Sequence, residues 1–97
     1  MRGVAIVSPV RTAVGNFGGT IKDISAAELA STVIKETINR SGIDPAKIED
    51  VILGHGYPNG ENPSIGRLAG LKAELPIEVP GYQLDRRCSS GLQAILN

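Results

Sequence analysis

The feature that most limits what this chain can fold into is an alternation along its length. Short apolar or extended runs pass into glycine-rich or polar junctions, and these into segments with helical spacing. Val4 to Val7 is apolar throughout, as is Val51 to Leu53. Unbroken apolar runs of this length suit strands covered on both faces. The stretch from Pro76 to Asp85 is extended in character, with Ile77, Val79, Tyr82 and Leu84 as its inward residues. The order strand, helix, strand, helix, strand, helix builds a mostly parallel sheet through right-handed crossovers, with helices on both faces. An α/β fold of this type carries its working loops at the carboxyl ends of its strands. Three junctions here are read as such exits: 8–20, 54–62 and 85–91.

The helical segments carry start and stop signals. Ser25 followed by Glu28 fits a capping box, and Leu29, Val33, Ile34 and Ile38 then form one apolar stripe. Gly42 is placed to end that helix in the left-handed conformation, with Ile43 as the apolar residue behind it. Asp44-Pro45 opens one further capped turn. Asn62 is read as the cap of the second helix, with Pro63 at its first position and Leu75-Pro76 as its stop. Gly66 and Gly70, four residues apart, are suited to close approach of a neighbouring backbone. The expected elements are strands at about 3–8, 50–54 and 78–85, and helices at about 25–41, 62–74 and from about 88.

At 97 residues the chain makes one small domain at most. The final stretch, Gly91 to Asn97, reads as a helix barely begun, with Asn97 as a weak cap. So many apolar faces need more covering than this length supplies. The chain is therefore expected to be the front part of something larger, or one piece of a multi-chain enzyme. Ten basic residues balance ten acidic ones, so there is no cationic excess with which to displace the counterions of a nucleic acid. A single cysteine closes no intrachain disulfide. The apolar run at the amino end is too short for a membrane span or a secretory core. A reduced, cytoplasmic setting without membrane contact is the expectation.

Cys88 is the one residue suited to covalent chemistry. The segment before it is extended and the segment after it helical, which places the sulfur at a helix N-terminus. Free N–H groups and the positive end of the dipole favour a thiolate there. Arg86 and Arg87 add positive charge nearby in sequence, and Ser89, Ser90 and Gly91 keep the turn small. The arrangement has the logic of a nucleophile elbow in cysteine form. The competing reading is a cysteine that merely fills space, as lone cysteines usually do.

Other candidates are weaker. His55 follows a strand and is a possible general base; a loop hydrogen bond beside Gly54 and Gly56 is the favoured reading. Glu61 is an acid or base only by its place in an exit loop, and a solvated helix-start carboxylate is the commoner case. Arg11 and Arg67 are two scattered phosphate candidates. One cysteine and one histidine make at most two of the usual four zinc ligands, so no metal site is expected. The order of glycines in Gly15-x-x-Gly18-Gly19 fits no dinucleotide fingerprint, and no Gly-Lys-Ser/Thr is present.

The run Arg86-x-Cys88-Ser89-Ser90-Gly91-Leu92-Gln93-Ala94-Ile95 closely resembles the nucleophile motif of thiolases, the acetyl-CoA C-acyltransferases. Arg11-Thr12-Ala13-Val14-Gly15-Asn16-Phe17-Gly18-Gly19 resembles the exit of that family's first strand. Gly60-Glu61-Asn62-Pro63-Ser64-x-x-Arg67 resembles, with looser spacing, the region opening its second helix. Three places depart from the family's pattern. Asp85 stands where Asn is common, Arg87 where Gln, Leu or Val is common, and His55-Gly56-Tyr57-Pro58 where Asn-Val-x-Gln is frequent.

The resemblance implies a five-layered fold of two similar halves, a homodimer or tetramer of complete subunits, and coenzyme A thioesters as substrates with no bound prosthetic group. It implies that Cys88 accepts an acyl group as a thioester, with its own backbone N–H helping to hold the thioester oxygen. Thiolysis of a 3-oxoacyl-CoA, or Claisen condensation of acetyl-CoA, in fatty acid metabolism follows from this. The family's activating histidine and second cysteine belong to its carboxyl-terminal half; this chain contains neither, and His55 does not match the histidine's motif. Residues 1–97 alone are therefore expected to be inactive. The alternative is a non-catalytic thiolase-like subunit acting as a scaffold or acyl-CoA channel.

Overall fold

The computed structural model describes residues 3–97. Helix α1 spans Ala26–Ser41 and begins as its residues dictate: the Ser25 side chain accepts a hydrogen bond from the Glu28 N–H at 3.2 Å. This is one half of the expected capping box. Gly42 ends the helix at φ 69° and returns its N–H to the Ile38 carbonyl. A 3-10 turn, Pro45–Lys47, follows with Asp44 as its cap, and leads into β1, Val51–Gly54.

Helix α2, Ile65–Lys72, starts three residues later than Asn62. Ser64, at φ 45°, stands at its N-terminus without a side-chain cap. Asn62 is not the cap because its side chain serves a neighbouring helix. Its Oδ1 accepts from the Ala27 N–H at 3.0 Å, a bond between two buried residues that joins this loop to the first turn of α1. At its far end α2 stops with Glu74 at φ 63°. The Leu75 N–H returns to Gly70 and the Glu74 N–H to Leu71. This is the Schellman pattern of bonds, with a glutamate in the position that glycine usually takes.

Strand β2, Gly81–Leu84, runs parallel to β1 in the register Val51↔Gly81 to Gly54↔Leu84. It is shorter than the expected 78–85 because the segment before it turns, with the Val79 N–H bonded to the Pro76 carbonyl. Val79 is buried as expected, but Ile77 is 72% exposed. A 3-10 turn, Arg87–Ser89, then opens helix α3, Ser90–Leu96. Asn97 caps it, its N–H bonded to the Gln93 carbonyl.

The expected first strand at 3–8 is not formed. Among the described residues the sheet has two strands, β1 and β2, and Val4, Ile6 and Val7 are exposed. A strand exists through a partner's hydrogen-bond ladder, and this run has none within the described residues. The 8–20 stretch is consequently a loop rather than a strand exit.

Side chains in a strand alternate between faces, and the glycines show what each face meets. A Cβ on Gly81 would collide with Gly66 and Arg67 of α2, and a Cβ on Gly54 with Ser90 and Gly91 of α3. Gly81 pairs with Val51, three residues from Gly54, so the two glycines look to opposite faces. The parallel pair thus lies between α2 and α3. Helix α1 packs on α2, and Ile34 and Ile38 from its stripe reach the cluster of Ala73, Leu75 and Val79, with Ile48 and Val51. The core is thin: among the described residues no large side chain is fully buried, and Leu92, Ile95 and Leu96 of α3 are exposed.

Candidate active site

Parallel strands deliver their exits to one end of a sheet. The loops after β1 and β2 are bound together there, beginning with the His55 N–H and the Leu84 carbonyl at 2.9 Å. Cys88 lies in the second loop, within the 3-10 turn Arg87–Ser89 and two residues before α3. It is a free, exposed thiol. It is therefore neither a space-filling core residue nor a residue in mid-helix.

The turn around the sulfur is held by its own sequence. Ser90 is 4% exposed; its Oγ accepts from the Arg86 N–H and donates to the Arg87 carbonyl, both at 2.8 Å. Ser89 Oγ donates to the Arg86 carbonyl at 2.9 Å. The two backbone bonds that close the turn are donated by Ser89 and Ser90, and neither uses the Cys88 N–H. The absence of a side chain at Gly54 lets the first residues of α3 rest on the end of β1, which sets how far the turn projects.

Arg87 has φ 49°, in the left-handed region where a side chain is unfavourable. Asp85 accepts its N–H at 2.9 Å through Oδ1 and its guanidinium at 2.7 Å through Oδ2. The same guanidinium donates to the Gly56 carbonyl and lies 5.1 Å from the centre of the Tyr57 ring. Positions 57, 85 and 87, all among the departures from the thiolase pattern, therefore meet in one group of contacts. The sequence marks Asp85 and Arg87 as departures from the thiolase pattern and Arg87 as positive charge near Cys88; the signal for their contact is an aspartate two residues before the amide it receives, the spacing of an Asx turn.

The other candidates are placed differently. His55 makes the expected loop contact, its Nδ1 lying 3.5 Å from Gln83 Oε1. Gln83 also receives the Ile65 N–H at the start of α2, a tie that no motif announced. Arg67 donates to the Val79 carbonyl, so it braces the fold rather than awaiting a phosphate. Arg11 lines a groove of about 850 Å³ between the 10–13 segment and α1. Glu61 lines a smaller one of about 340 Å³ beside Asn62. Cys88 lines neither groove. Among the described residues no group of three or more His, Cys, Asp or Glu is placed to hold a metal ion, and no helix is long and apolar enough to cross a membrane.

The chain is 42% identical over 96 residues to an acetyl-CoA acetyltransferase of Cupriavidus necator, covering 99% of this chain and 24% of that protein. It is 40% identical over 95 residues to an acetyl-CoA acetyltransferase of Pseudomonas aeruginosa, covering 98% and 24%. The crystal structure of the Bacillus anthracis acetyl-CoA acetyltransferase superposes with a TM-score of 0.82 at 41% identity, over 84% of this chain and 21% of that one. The chain thus spans about a quarter of the length of the curated relatives it matches. Residues 4–97 match the family model described as thiolase, N-terminal domain, and the chain belongs to the thiolase family.

Proposed function

We propose that this chain contributes the acyl-accepting cysteine of an acyltransferase acting on coenzyme A thioesters. The observation that carries the reading is the position of Cys88: the chain's only thiol, exposed in the turn between β2 and α3, within the Arg86-to-Ile95 motif. Family membership and similarity to acetyl-CoA acetyltransferases support the substrate class.

In the first half-reaction the Cys88 Sγ, having given up its proton to a base, attacks the thioester carbonyl carbon. The C–S bond to coenzyme A then breaks, and the leaving sulfur takes up a proton. The acyl group is left on Cys88 as a thioester. In the second half-reaction another CoA ester loses a proton at its α-carbon, and the carbanion attacks the acyl carbonyl. The bond to Cys88 breaks and a 3-oxoacyl-CoA is released; thiolysis is the same path reversed. The Cys88 N–H, unused by the bonds that close the turn, is the proposed donor to the oxygen that gains negative charge at each attack. Such a donor is worth most where it is held in advance, and the Ser89 and Ser90 bonds supply that rigidity. The proton-handling groups, the second half of the fold and the dimer or tetramer are proposed to come from the remainder of the protein.

The test is intact-mass analysis of the complete protein mixed with acetyl-CoA. One acetyl group on wild type and none on Cys88→Ala is expected. An unmodified wild-type protein, or an adduct that survives in the variant, overturns the reading.

A further inference from the structure

We propose that Arg87 is a positioning residue for Cys88, locked in a left-handed backbone conformation by Asp85 and by the loop after β1. The proposal rests on the reading of Cys88 as the acyl-accepting thiol. Arg87 immediately precedes that sulfur at φ 49°, a conformation that glycine adopts freely and arginine does not. Three partners hold it. Asp85 takes both its N–H and its guanidinium, the Gly56 carbonyl receives the guanidinium, and the Tyr57 ring lies beside it at 5.1 Å.

These contacts are poorly explained as a means of stabilising the fold. The Arg87 side chain is 63% exposed and its Asp85 partner 33%, and an ion pair in contact with water adds little to stability. A strained backbone held by solvent-facing contacts is better explained by what it aims. The residue after Arg87 is Cys88, and the contacts also fasten the β1 exit at Gly56 and Tyr57 to the β2 exit. The clamp therefore fixes the backbone that carries the sulfur relative to the other loop at this end of the sheet.

Gly is the decisive substitution, because it takes the same φ without a clamp. In the complete protein, Arg87→Gln is expected to lower kcat for acyl transfer from acetyl-CoA about tenfold, within the range that a strained backbone residue can store. KM should stay within about twofold, because the proposal gives Arg87 no contact with substrate. Arg87→Gly should recover most of the rate, and Asp85→Ala should reproduce Arg87→Gln. Alkylation of Cys88 by iodoacetamide, followed by mass spectrometry, should slow in Arg87→Gln and Asp85→Ala and return toward the wild-type rate in Arg87→Gly. Circular dichroism confirms that each variant is folded. A Gly variant no better than the Gln variant, or a Gln variant equal to wild type, overturns the clamp. A raised KM with unchanged kcat also overturns it, by making Arg87 a substrate contact. If wild type takes no acetyl group, the acyltransferase reading falls while the alkylation arm still decides the clamp.

Discussion

Gly66 of α2 and Gly81 of β2 meet backbone against backbone, with no side chain between helix and strand. A Cβ on Gly66 would lie 2.2 Å from the Tyr82 carbonyl oxygen, and one on Gly81 would lie 2.6 Å from the Gly66 carbonyl carbon. Neither neighbour is a flexible side chain, so the helix itself must move. Gly66→Ala and Gly81→Ala are each expected to destabilise the protein by about 2 kcal/mol or more, read as a fall in the urea midpoint.

One turn further along α2, the opposite result is expected. A Cβ on Gly70 meets Leu75 Cδ1 at 3.5 Å and Val51 Cγ2 at 3.8 Å, both ordinary contacts. Alanine is the better helix former, so Gly70→Ala should stabilise by about 0.5–1 kcal/mol. The contrast between Gly66 and Gly70 separates packing from propensity within one helix.

The end of that helix offers a second stabilising change. Glu74 occupies the left-handed position at φ 63°, while Leu75 behind it is buried. Glu74→Gly removes the Cβ penalty and keeps both backbone bonds. A gain of about 1 kcal/mol is expected, measured as a raised thermal midpoint.

Asn62 is 3% exposed and holds the Ala27 N–H. Asn62→Leu leaves that buried amide without an acceptor and should cost about 1–3 kcal/mol. Hydrogen exchange should locate the loss in the first turn of α1, with the Ala27 amide among those that exchange faster.

Cys88 predicts a separation of activity from stability. Its side chain is exposed, so Cys88→Ala should change stability by no more than about 0.5 kcal/mol while abolishing acyl transfer by the complete protein. Residues 1–97 on their own are expected to show no thiolysis, because general-base and second-substrate chemistry is assigned to the rest of the protein. A coupled assay for CoA release or uptake reads both outcomes.

Local features were legible in the chain. The cap at Ser25, the left-handed stop at Gly42, the Asp44-Pro45 turn and the start of α3 near Cys88 each depend on residues within a few positions of one another. The strand at 3–8 and the cap at Asn62 were misread, because each depends on a distant partner. Val4 to Val7 carries the apolarity of a buried strand but has no neighbouring strand among the described residues, and the side chain of Asn62 is taken by Ala27 of another helix. Ile77 was expected to face inward, but the turn at Pro76–Val79 breaks the alternation on which that expectation stood.

By itself the sequence determined the family, the parallel character of the sheet and the turn carrying Cys88, since these follow from motif, apolar period and caps. Only the tertiary structure decided that the β1 exit and the cysteine turn meet, that Ser90 is buried beneath the turn, and that Tyr57, Asp85 and Arg87 share one set of contacts. The physical reason is range. Caps and periodicity act within a turn or two of helix, whereas a guanidinium finds a carbonyl 31 residues away only after two parallel strands have brought their ends together.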